Sequence, residues 1–209
     1  MPLLKLDLHV HTEGSSDSHT RIQDLPDIIR AKRLDGIAVT EHNNFDPPSF
    51  SDVLIIPGVE ISSRDGHILA LGVKEKISPR LAADETITLI HNQGGIAIVP
   101  HPHDPVSERV KIAYLKVRPD AVETMNADAL SFRVSNWLAR RDARKFGLPE
   151  VGGSDSHIPQ TIGDAYTIID AESYDVKSVL EAIRQGRVRP GGHATSIHNK
   201  IRKLRYKFD

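Results

Sequence analysis

Residues 3–12 read LLKLDLHVHT, a short apolar run that ends in two histidines separated by one residue. Apolar runs of this length are typical of strands that are buried on both faces of a parallel sheet. Side chains alternate between the two faces of a strand, so His9 and His11 should point to the same side. The stretch therefore predicts a buried strand that presents two imidazoles together at its carboxyl end.

Similar apolar runs recur along the chain and are separated by helix-like segments. This alternation is typical of an α/β fold with parallel strands and crossover helices. Seven or eight strands indicate a closed barrel similar to a TIM barrel, in which the carboxyl ends of the strands meet at one rim. The predicted strands cover residues 3–9, 36–40, 53–59, 67–73, 95–100, 120–124, 149–152 and 165–169.

Aspartates and glycines predict where helices begin and end. Asp24, Asp84 and Asp175 are expected N-caps of three helices. The longest helical stretch covers residues 129–146 and should end at Gly147. The residues spaced to share one face of that helix are Leu130, Val134, Trp137, Leu138 and Arg141.

Composition restricts the classes of function. The 209 residues fit one domain, and 27 basic side chains nearly balance 28 acidic ones, so no global charge indicates a polyanionic partner. The chain shows neither a signal peptide nor an apolar run of the ~20 residues that a membrane helix needs, so we expect a cytoplasmic protein without membrane contact. It has 11 histidines and no cysteine, so any metal must be held by nitrogen and oxygen.

The end of the chain differs from the rest. Residues 1–190 are expected to form the barrel domain, and residues 191–209 a basic extension that is helical and packs on the barrel. The basic residues Lys200, Arg202, Lys203, Arg205 and Lys207 surround an apolar stripe of Ile201, Leu204 and Phe208. We expect the stripe to dock while the basic face stays in solvent. Alternatively, residues 200–209 could track the phosphates of a nucleic acid.

Four more predicted strands end in residues that can bind metal. Because these ends share one rim, their side chains should converge there. Crowded carboxylates and imidazoles are costly in a pocket unless a cation compensates them. The sequence therefore predicts a multinuclear divalent-metal site. The strand ends are Thr40-Glu41-His42, Gly58-Val59-Glu60, Pro100-His101-Pro102-His103 and Gly153-Ser154-Asp155-Ser156-His157.

Four motifs in this order resemble those of the polymerase and histidinol phosphatase (PHP) superfamily. They are DLHVHT at 7–12 with Asp17 downstream, TEHN at 40–43, VPHPH at 99–103 and GSDSH at 153–157. The resemblance implies a distorted seven-stranded barrel and a metal-dependent phosphoesterase. It also implies two or three divalent ions, and residue types leave Mn²⁺, Zn²⁺ and Fe²⁺ open.

The resemblance also assigns metal ligands. It implies that one ion is held by His9, His11, Glu60 and Asp155, and another by Asp17, His42 and His157. His101, with or without His67, would complete a third position. His67 begins a predicted strand instead of ending one, so a surface turn is an equal alternative. Glu41 replaces the usual aspartate, which leaves open any role beyond orienting His42.

The expected reaction is hydrolysis of a phosphate ester, either a small monoester or a nucleotide. A hydroxide that bridges the metals beneath Glu60 would attack phosphorus, and Glu60, Asp155 and His157 are the expected catalytic residues. The alternative is a protein that acts on nucleic acid, either a nuclease that uses the same metals or a binding subunit with the barrel as scaffold.

Residues that bind the substrate are less clearly indicated. Arg64, Arg109 and Arg133 follow rim motifs or strands and are candidates for binding phosphate, or else ordinary exposed arginines. Asn126 could contact substrate or cap the following turn. His103 could hold a ligand in position or be solvated.

Overall fold

The structure, a computed structural model, describes residues 2–206. Within this range the chain forms nine strands and five α-helices. The strands are β1 Leu3–Val10, β2 Gly36–Val39, β3 Leu54–Ser63, β4 Gly66–Leu71, β5 Ile96–Val99, β6 Ala121–Asn126, β7 Glu150–Gly153, β8 Ala165–Asp170 and β9 Val188–Gly192. The helices are α1 Leu25–Ala31, α2 Ala83–Asn92, α3 Phe132–Phe146, α4 Val176–Arg184 and α5 Ile197–Tyr206.

The strands form one nearly closed sheet in the order β7-β6-β5-β4-β3-β2-β1-β8-β9. The segment after β7 meets β1, because Ser156 forms a parallel bridge with Val10 and the Asp155 amide donates to the His9 carbonyl at 2.9 Å. The predicted α/β class is confirmed. The sheet has nine strands, one more than the eight predicted ranges and two more than the seven-stranded barrel that the resemblance implies. Strand β9 was missed because its sequence, VRPGG, is not an apolar run.

Several strand pairs are antiparallel, which differs from the expected parallel sheet. Strand β4 is antiparallel to both β3 and β5, and β8 is antiparallel to β1 and β9. Only residues 64–65 join β3 to β4, a hairpin too short for the crossover that a parallel pair requires. The amino end of β4 therefore lies at the rim where β3 ends.

The core consists of three clusters that join strands to helices. Leu6 and Leu8 of β1 belong to a cluster with Ile183 of α4. Ile68 of β4 belongs to a second cluster with Ile87 of α2. Burying each of these side chains contributes roughly 1.5–3 kcal/mol to stability. The strands whose ends carry the candidate ligands are thus fixed by apolar packing.

The expected helix starts are confirmed in part. Asp175 is the N-cap of α4, where its carboxylate accepts from the Ser178 amide at 2.8 Å. Asp24 holds the N-cap position of α1, although its side chain makes no capping bond. The prediction for Asp84 was wrong, because α2 begins at Ala83. The Asp84 carboxylate instead accepts backbone N–H groups at 2.9 Å from residues 116 and 117.

The prediction for α3 was right about its end, and the face that its large apolar residues share is not the face that the helix buries. The helix stops before Gly147, which has a φ of 61°. The expected apolar face is largely exposed, including Leu130, Val134 and Trp137. The helix buries its small residues Ser135, Ala139 and Ala143 instead. Small side chains allow a close approach to the barrel, and the spacing of large apolar residues could not reveal this.

The basic extension contains α5, and its contacts differ from the expectation. Lys200 Nζ donates to the carbonyls of Asp128 at 2.8 Å and Ala129 at 3.0 Å. Ile201 and Leu204 are exposed. The apolar stripe was therefore wrongly expected to dock, because the surface under the helix offers oxygen acceptors. Lys207, Phe208 and Asp209 lie outside the described residues. No helix within residues 2–206 is long and apolar enough to span a membrane.

Candidate metal centre

The ends of β1 and β7 approach each other closely at the rim. A Cβ atom added to Gly153 would lie 2.5 Å from His9 Cβ and 2.7 Å from Glu123 Oε1. Only glycine avoids this overlap, which is shorter than any ordinary carbon contact. Gly153 thus lets the following residues, including Asp155, reach the imidazoles of His9 and His11.

Two of the expected ligands have left-handed backbone conformations. The φ angle is 30° at His101, just after β5, and 54° at Asp155, just after β7. Such conformations cost of order 1–3 kcal/mol each outside glycine and are typical of functional sites. Hydrogen bonds hold both backbones, since the His101 amide donates to Glu123 Oε2 at 2.9 Å and the Asp155 amide to the His9 carbonyl.

Glu60 lies at the centre of the site, where its carboxylate contacts five imidazoles. Its Oε1 atom lies 2.9 Å from His67 Nδ1 and 3.1 Å from His101 Nε2. Its Oε2 atom lies 3.0 Å from His42 Nδ1, 3.4 Å from His11 Nε2 and 3.5 Å from His9 Nε2. One carboxylate with its two oxygens directed at different groups of histidines is the arrangement of a bridging ligand.

His9 and His11 each approach two carboxylates at the spacing of ligands on one divalent ion. Asp155 Oδ1 lies 3.5 Å from His9 Nε2 and 3.4 Å from His11 Nε2, the same distances that Glu60 Oε2 keeps from these atoms. Ligands about 2.1 Å from one ion stand about 3.4 Å apart at tetrahedral angles. Both Nε2 atoms are buried and have no hydrogen-bond partner among the described residues. A cation would satisfy them.

A second and a third group adjoin this one. The ring nitrogens of His11, His42 and His157 lie within 4.8 Å of one another. Asp17 Oδ2 lies 3.3 Å from His157 Nε2 and 3.6 Å from His42 Nε2. The structure thus brings all of the expected ligands together: His9, His11, Asp17, His42, Glu60, His67, His101, Asp155 and His157.

His67 joins the site because β4 is antiparallel. It forms a third group with Glu60 and His101, again within 4.8 Å. Its position at the start of a strand counted against it in the sequence, where all strands were expected to end at the rim. In an antiparallel hairpin the start of the second strand lies beside the end of the first. The turn alternative is therefore excluded by position.

The electrostatics of the metal-free site keep its carboxylates ionised. Burial raises the pKa of Glu60, but the charge of His9 and hydrogen bonds from other histidines hold it well below its usual range. Burial likewise lowers the pKa of His42, but Asp17 and Glu60 outweigh it and raise that pKa to about 10. Burial lowers the pKa of His11 to about 3. Protonated imidazoles thus compensate the carboxylates where a metal could do so.

Glu123 was missed by the sequence analysis and orients the site from behind. Its Oε1 atom lies 3.0 Å from His9 Nδ1, and its Oε2 atom accepts from the His101 amide. This contact to Nδ1 directs His9 Nε2 into the site, as outer partners of ligating histidines commonly do. The available signal was a carboxylate within the buried strand AVETMN.

Asn126 is buried and both ends of its amide are engaged. Its Nδ2 donates to Glu123 Oε2 at 2.9 Å and to Asp155 Oδ2 at 3.2 Å. Its Oδ1 accepts from the Ala129 amide at 2.9 Å. Asn126 therefore caps the following turn, one of the two alternatives, and also orients Asp155. It has little left to offer a substrate.

Glu41 fixes the loop after β1. It accepts from the Thr12 amide at 2.9 Å and forms short hydrogen bonds with the hydroxyls of Thr12 and Ser15. Ser15 Oγ in turn accepts from the His42 amide at 3.0 Å. These hydrogen bonds connect the Glu41 carboxylate to the loop that leads to Asp17.

The ligand groups form the floor of a pocket of about 610 Å³. Arg64, Arg109 and Arg133 are exposed, and none of them lines it. Their predicted phosphate-binding role is not supported by this placement, because nearness to a strand end in sequence does not fix where a long side chain points. His103 Nε2 lies 2.8 Å from Asp142 Oδ2, so it pairs with α3.

Comparison with known proteins agrees with the motifs. A family model described as PHP domain matches residues 7–116, and one described as PHP-associated matches residues 133–188. An uncharacterized protein of Methanocaldococcus jannaschii is 30% identical over 141 residues, which cover 59% of this chain and 82% of that protein. A protein of Shewanella oneidensis named a probable phosphatase is 26% identical over 84% of this chain and 86% of its own.

Two solved structures share the fold. One is a two-domain protein from Bacteroides vulgatus that contains a predicted PHP-like metal-dependent phosphoesterase, with a TM-score of 0.68 and 18% identity over 99% of this chain and 70% of that one. The other is a lesion-specific endonuclease from Pyrococcus furiosus, with a TM-score of 0.67 and 13% identity over 90% of this chain and 58% of that one. At these identities the likeness concerns the fold alone.

Proposed function

The chain belongs to the PHP domain family, and from this membership we propose that it is a metal-dependent hydrolase of small phosphate esters, either monoesters or nucleotides. The arrangement of Glu60 carries the proposal. Its two oxygens contact different histidine groups, beside two buried imidazole nitrogens that have no hydrogen-bond partner among the described residues. Buried polar atoms in proteins normally have hydrogen-bond partners, so two unpaired imidazole nitrogens indicate a site for a ligand.

The nine clustered side chains would hold two or three ions of Mn²⁺, Zn²⁺ or Fe²⁺. His9, His11 and Asp155 would share one ion with Glu60, and His42, His157 and Asp17 would hold a second. His67 and His101 would hold a third through Glu60 Oε1. When bound, such ions ionise a water molecule near neutral pH and neutralise charge on the phosphoryl oxygens.

Neighbouring residues hold these metal ligands in place. Glu123 orients His9 through its ring nitrogen, and Asn126 holds Asp155. Asp7 accepts from the Ser154 amide at 2.9 Å and from the Gly163 amide at 2.8 Å, which fixes the loop that carries Asp155. Preorganised ligands need no rearrangement when charge develops on the substrate.

A small substrate fits this pocket better than a long polyanion. Asp104 and Glu108 line it and would repel phosphates that flank the reacting one. Val106, Leu130 and Leu204 also line it and are exposed, so they offer an apolar surface to the leaving group. A nucleic-acid channel normally presents a series of cations along the backbone path.

A metal-dependent nuclease is the second candidate. The fold is shared with the lesion-specific endonuclease, and α5 carries four basic residues, namely Lys200, Arg202, Lys203 and Arg205. The acidic residues of the pocket argue against a long substrate, so we rank this candidate second.

Hydrolysis of a panel of substrates tests the proposal, measured as released phosphate for monoesters and nucleotides and as chain cleavage on a gel for oligonucleotides. The panel contains small monoesters, nucleotides and short oligonucleotides, each assayed with and without Mn²⁺. His9→Ala and Asp155→Ala remove two ligands and should abolish the Mn²⁺-dependent rate. Hydrolysis of monoesters alone supports the proposal. Cleavage of oligonucleotides alone would replace it with the nuclease, and metal binding without any hydrolysis would favour a scaffold.

A further inference from the structure

The cations that line the pocket come from the C-terminal helix. Apart from histidines, the described residues that line it include only two basic side chains, Lys200 and Lys203 of α5. Both are partly buried, whereas the exposed Arg205 on the same helix does not line the pocket. Lys200 and Lys203 therefore face the candidate metal centre, whereas Arg205 of the same helix does not.

Lys203 lies against the second ligand group. Its Nζ atom is 2.7 Å from Asp128 Oδ2 and 3.1 Å from His157 Nδ1. The other ring nitrogen of His157 lies 3.3 Å from Asp17 Oδ2, so the ammonium is separated from the ligand atoms by the width of one imidazole. An ammonium has three donors, and Asp128 occupies one of them.

We propose that Lys203, supported by Lys200, binds the phosphoryl oxygens of the substrate. The inference rests on the proposed function. Lys203 would provide the positive charge in the pocket that Arg64, Arg109 and Arg133 do not provide. Phosphate monoesters carry close to two negative charges near neutral pH, and a lysine next to the metal ligands adds a charge-assisted hydrogen bond to them. The C-terminal extension thereby becomes a wall of the substrate pocket.

Tautomer chemistry at His157 frees Lys203 for this contact. A ring that binds an ion through Nε2 must carry its proton on Nδ1, and His157 Nδ1 can then donate to the Asp155 carbonyl at 2.9 Å. A protonated Nδ1 no longer accepts from Lys203. With an ion held by His157, the ammonium would keep Asp128 as a partner and would have two donors left for the pocket.

A structural role is the main competing explanation, because Lys203 also neutralises Asp128. The pKa of that carboxyl is raised by its burial, although the charge of Lys203 opposes the rise. The double variant Lys203→Gln/Asp128→Asn removes both charges together and separates the two roles. Arg205→Ala is the matched control for loss of one positive charge from the same helix.

Binding of inorganic phosphate to the Mn²⁺-loaded protein, measured by calorimetry, tests the inference without turnover. Lys203→Gln should weaken phosphate binding by about 10- to 100-fold, the effect of losing a hydrogen bond to a charged group. The double variant should stay equally weak, and Arg205→Ala should bind as the wild type does. Metal content is measured for every variant, so that lost metal is not mistaken for lost phosphate contact.

Three outcomes would overturn the inference. They are wild-type affinity in Lys203→Gln, recovery of affinity in the double variant, and absence of phosphate binding by the wild-type protein. The proposed function is tested separately by the substrate panel. A Lys203-dependent phosphate site in a protein that hydrolyses nothing would support the inference and reject the function, and hydrolysis that is insensitive to Lys203 would do the reverse.

Discussion

The floor of the pocket, formed by the candidate metal ligands, differs in its support from the wall, formed by Val106, Leu130 and the lysines of α5. The floor carries His9, fully buried, and Glu60, 1% exposed, at the ends of strands that ladder hydrogen bonds and apolar clusters fix. The wall carries Val106 and Leu130, 72% and 62% exposed, and the lysines of α5, which are held by a few polar contacts. The metal ligands are thus fixed by the core of the barrel, whereas the wall is held by fewer contacts.

Loss of the central carboxylate should have the largest effect. Glu60→Gln keeps the shape of the side chain and removes the charge that the histidine groups share. Outer partners of ligands alone are worth 10–100-fold in metal affinity, so we expect this variant to lose more than about 100-fold in affinity and activity. Metal content and monoester turnover are the measurements.

Glu41→Gln is the matched control, since Glu41 is also buried beside His42 but contacts loop hydroxyls. It should lose less metal affinity than Glu60→Gln does, because Glu41 acts on the ligands only through the loop. Equal losses of metal affinity in the two variants would mean that Glu60 is no more important for metal binding than Glu41, and would contradict its role as the shared ligand.

Metal removal should destabilise the floor and leave the wall unaffected. An ion present at 100 times its Kd stabilises the folded state by about 2.7 kcal/mol, which corresponds to roughly 5–11 °C in Tm for a chain of this size. Thermal unfolding with Mn²⁺ and after chelation measures the shift. The Lys203→Gln variant should show the same shift, and a reduced one would indicate that the wall helps to hold the metal.

Glu123→Gln should lower the metal affinity without removing a metal ligand. Its contact with His9 Nδ1 orients the ring, and loss of such partners typically costs 10–100-fold in metal affinity. Competition with a chromogenic chelator gives the affinity. Glu150→Gln provides the control, because Glu150 pairs with Arg140 at the far end of β7; a similar loss there would point to general destabilisation.

Over a single pH unit, the smallest of these expected changes in metal affinity comes from pH. The pKa of His42 is raised to about 10 in the metal-free protein, so its ring is protonated at pH 7 and must lose that proton to bind an ion. Affinity should therefore rise at least about tenfold per pH unit as pH increases towards 10, because the pKa values of His9 and His101 are raised as well. Calorimetry in buffers of different ionisation enthalpy counts the released protons, and a heat independent of buffer would contradict the prediction.

The sequence predicted the floor well because its signals are local. Each of His9, His42 and Asp155 follows an apolar run, and the period of two in a strand determines which side chains share a face. The α/β class follows from the same alternation of runs and helices. The extra strand β9 and the antiparallel β4 were not predicted, because VRPGG lacks an apolar pattern and the direction of a strand depends on its partners.

The wall depends on distant contacts and could not be predicted. Lys203 contacts Asp128 and His157, which are 75 and 46 residues away in the sequence. A periodic pattern of residues cannot predict contacts over such separations. The face that α3 buries is likewise set by the close approach of Ala139 and Ala143 rather than by its large apolar residues.

The sequence by itself determined which side chains have the chemistry to bind metal and that most of them lie at or just after strand ends, since residue chemistry and strand period are properties of the local chain. Tertiary structure alone decided that Glu60 lies between the histidine groups, that β4 brings His67 to the rim, and that α5 turns its lysines inward. The physical reason is that packing and strand pairing fix the direction of a side chain over distances that local patterns do not reach.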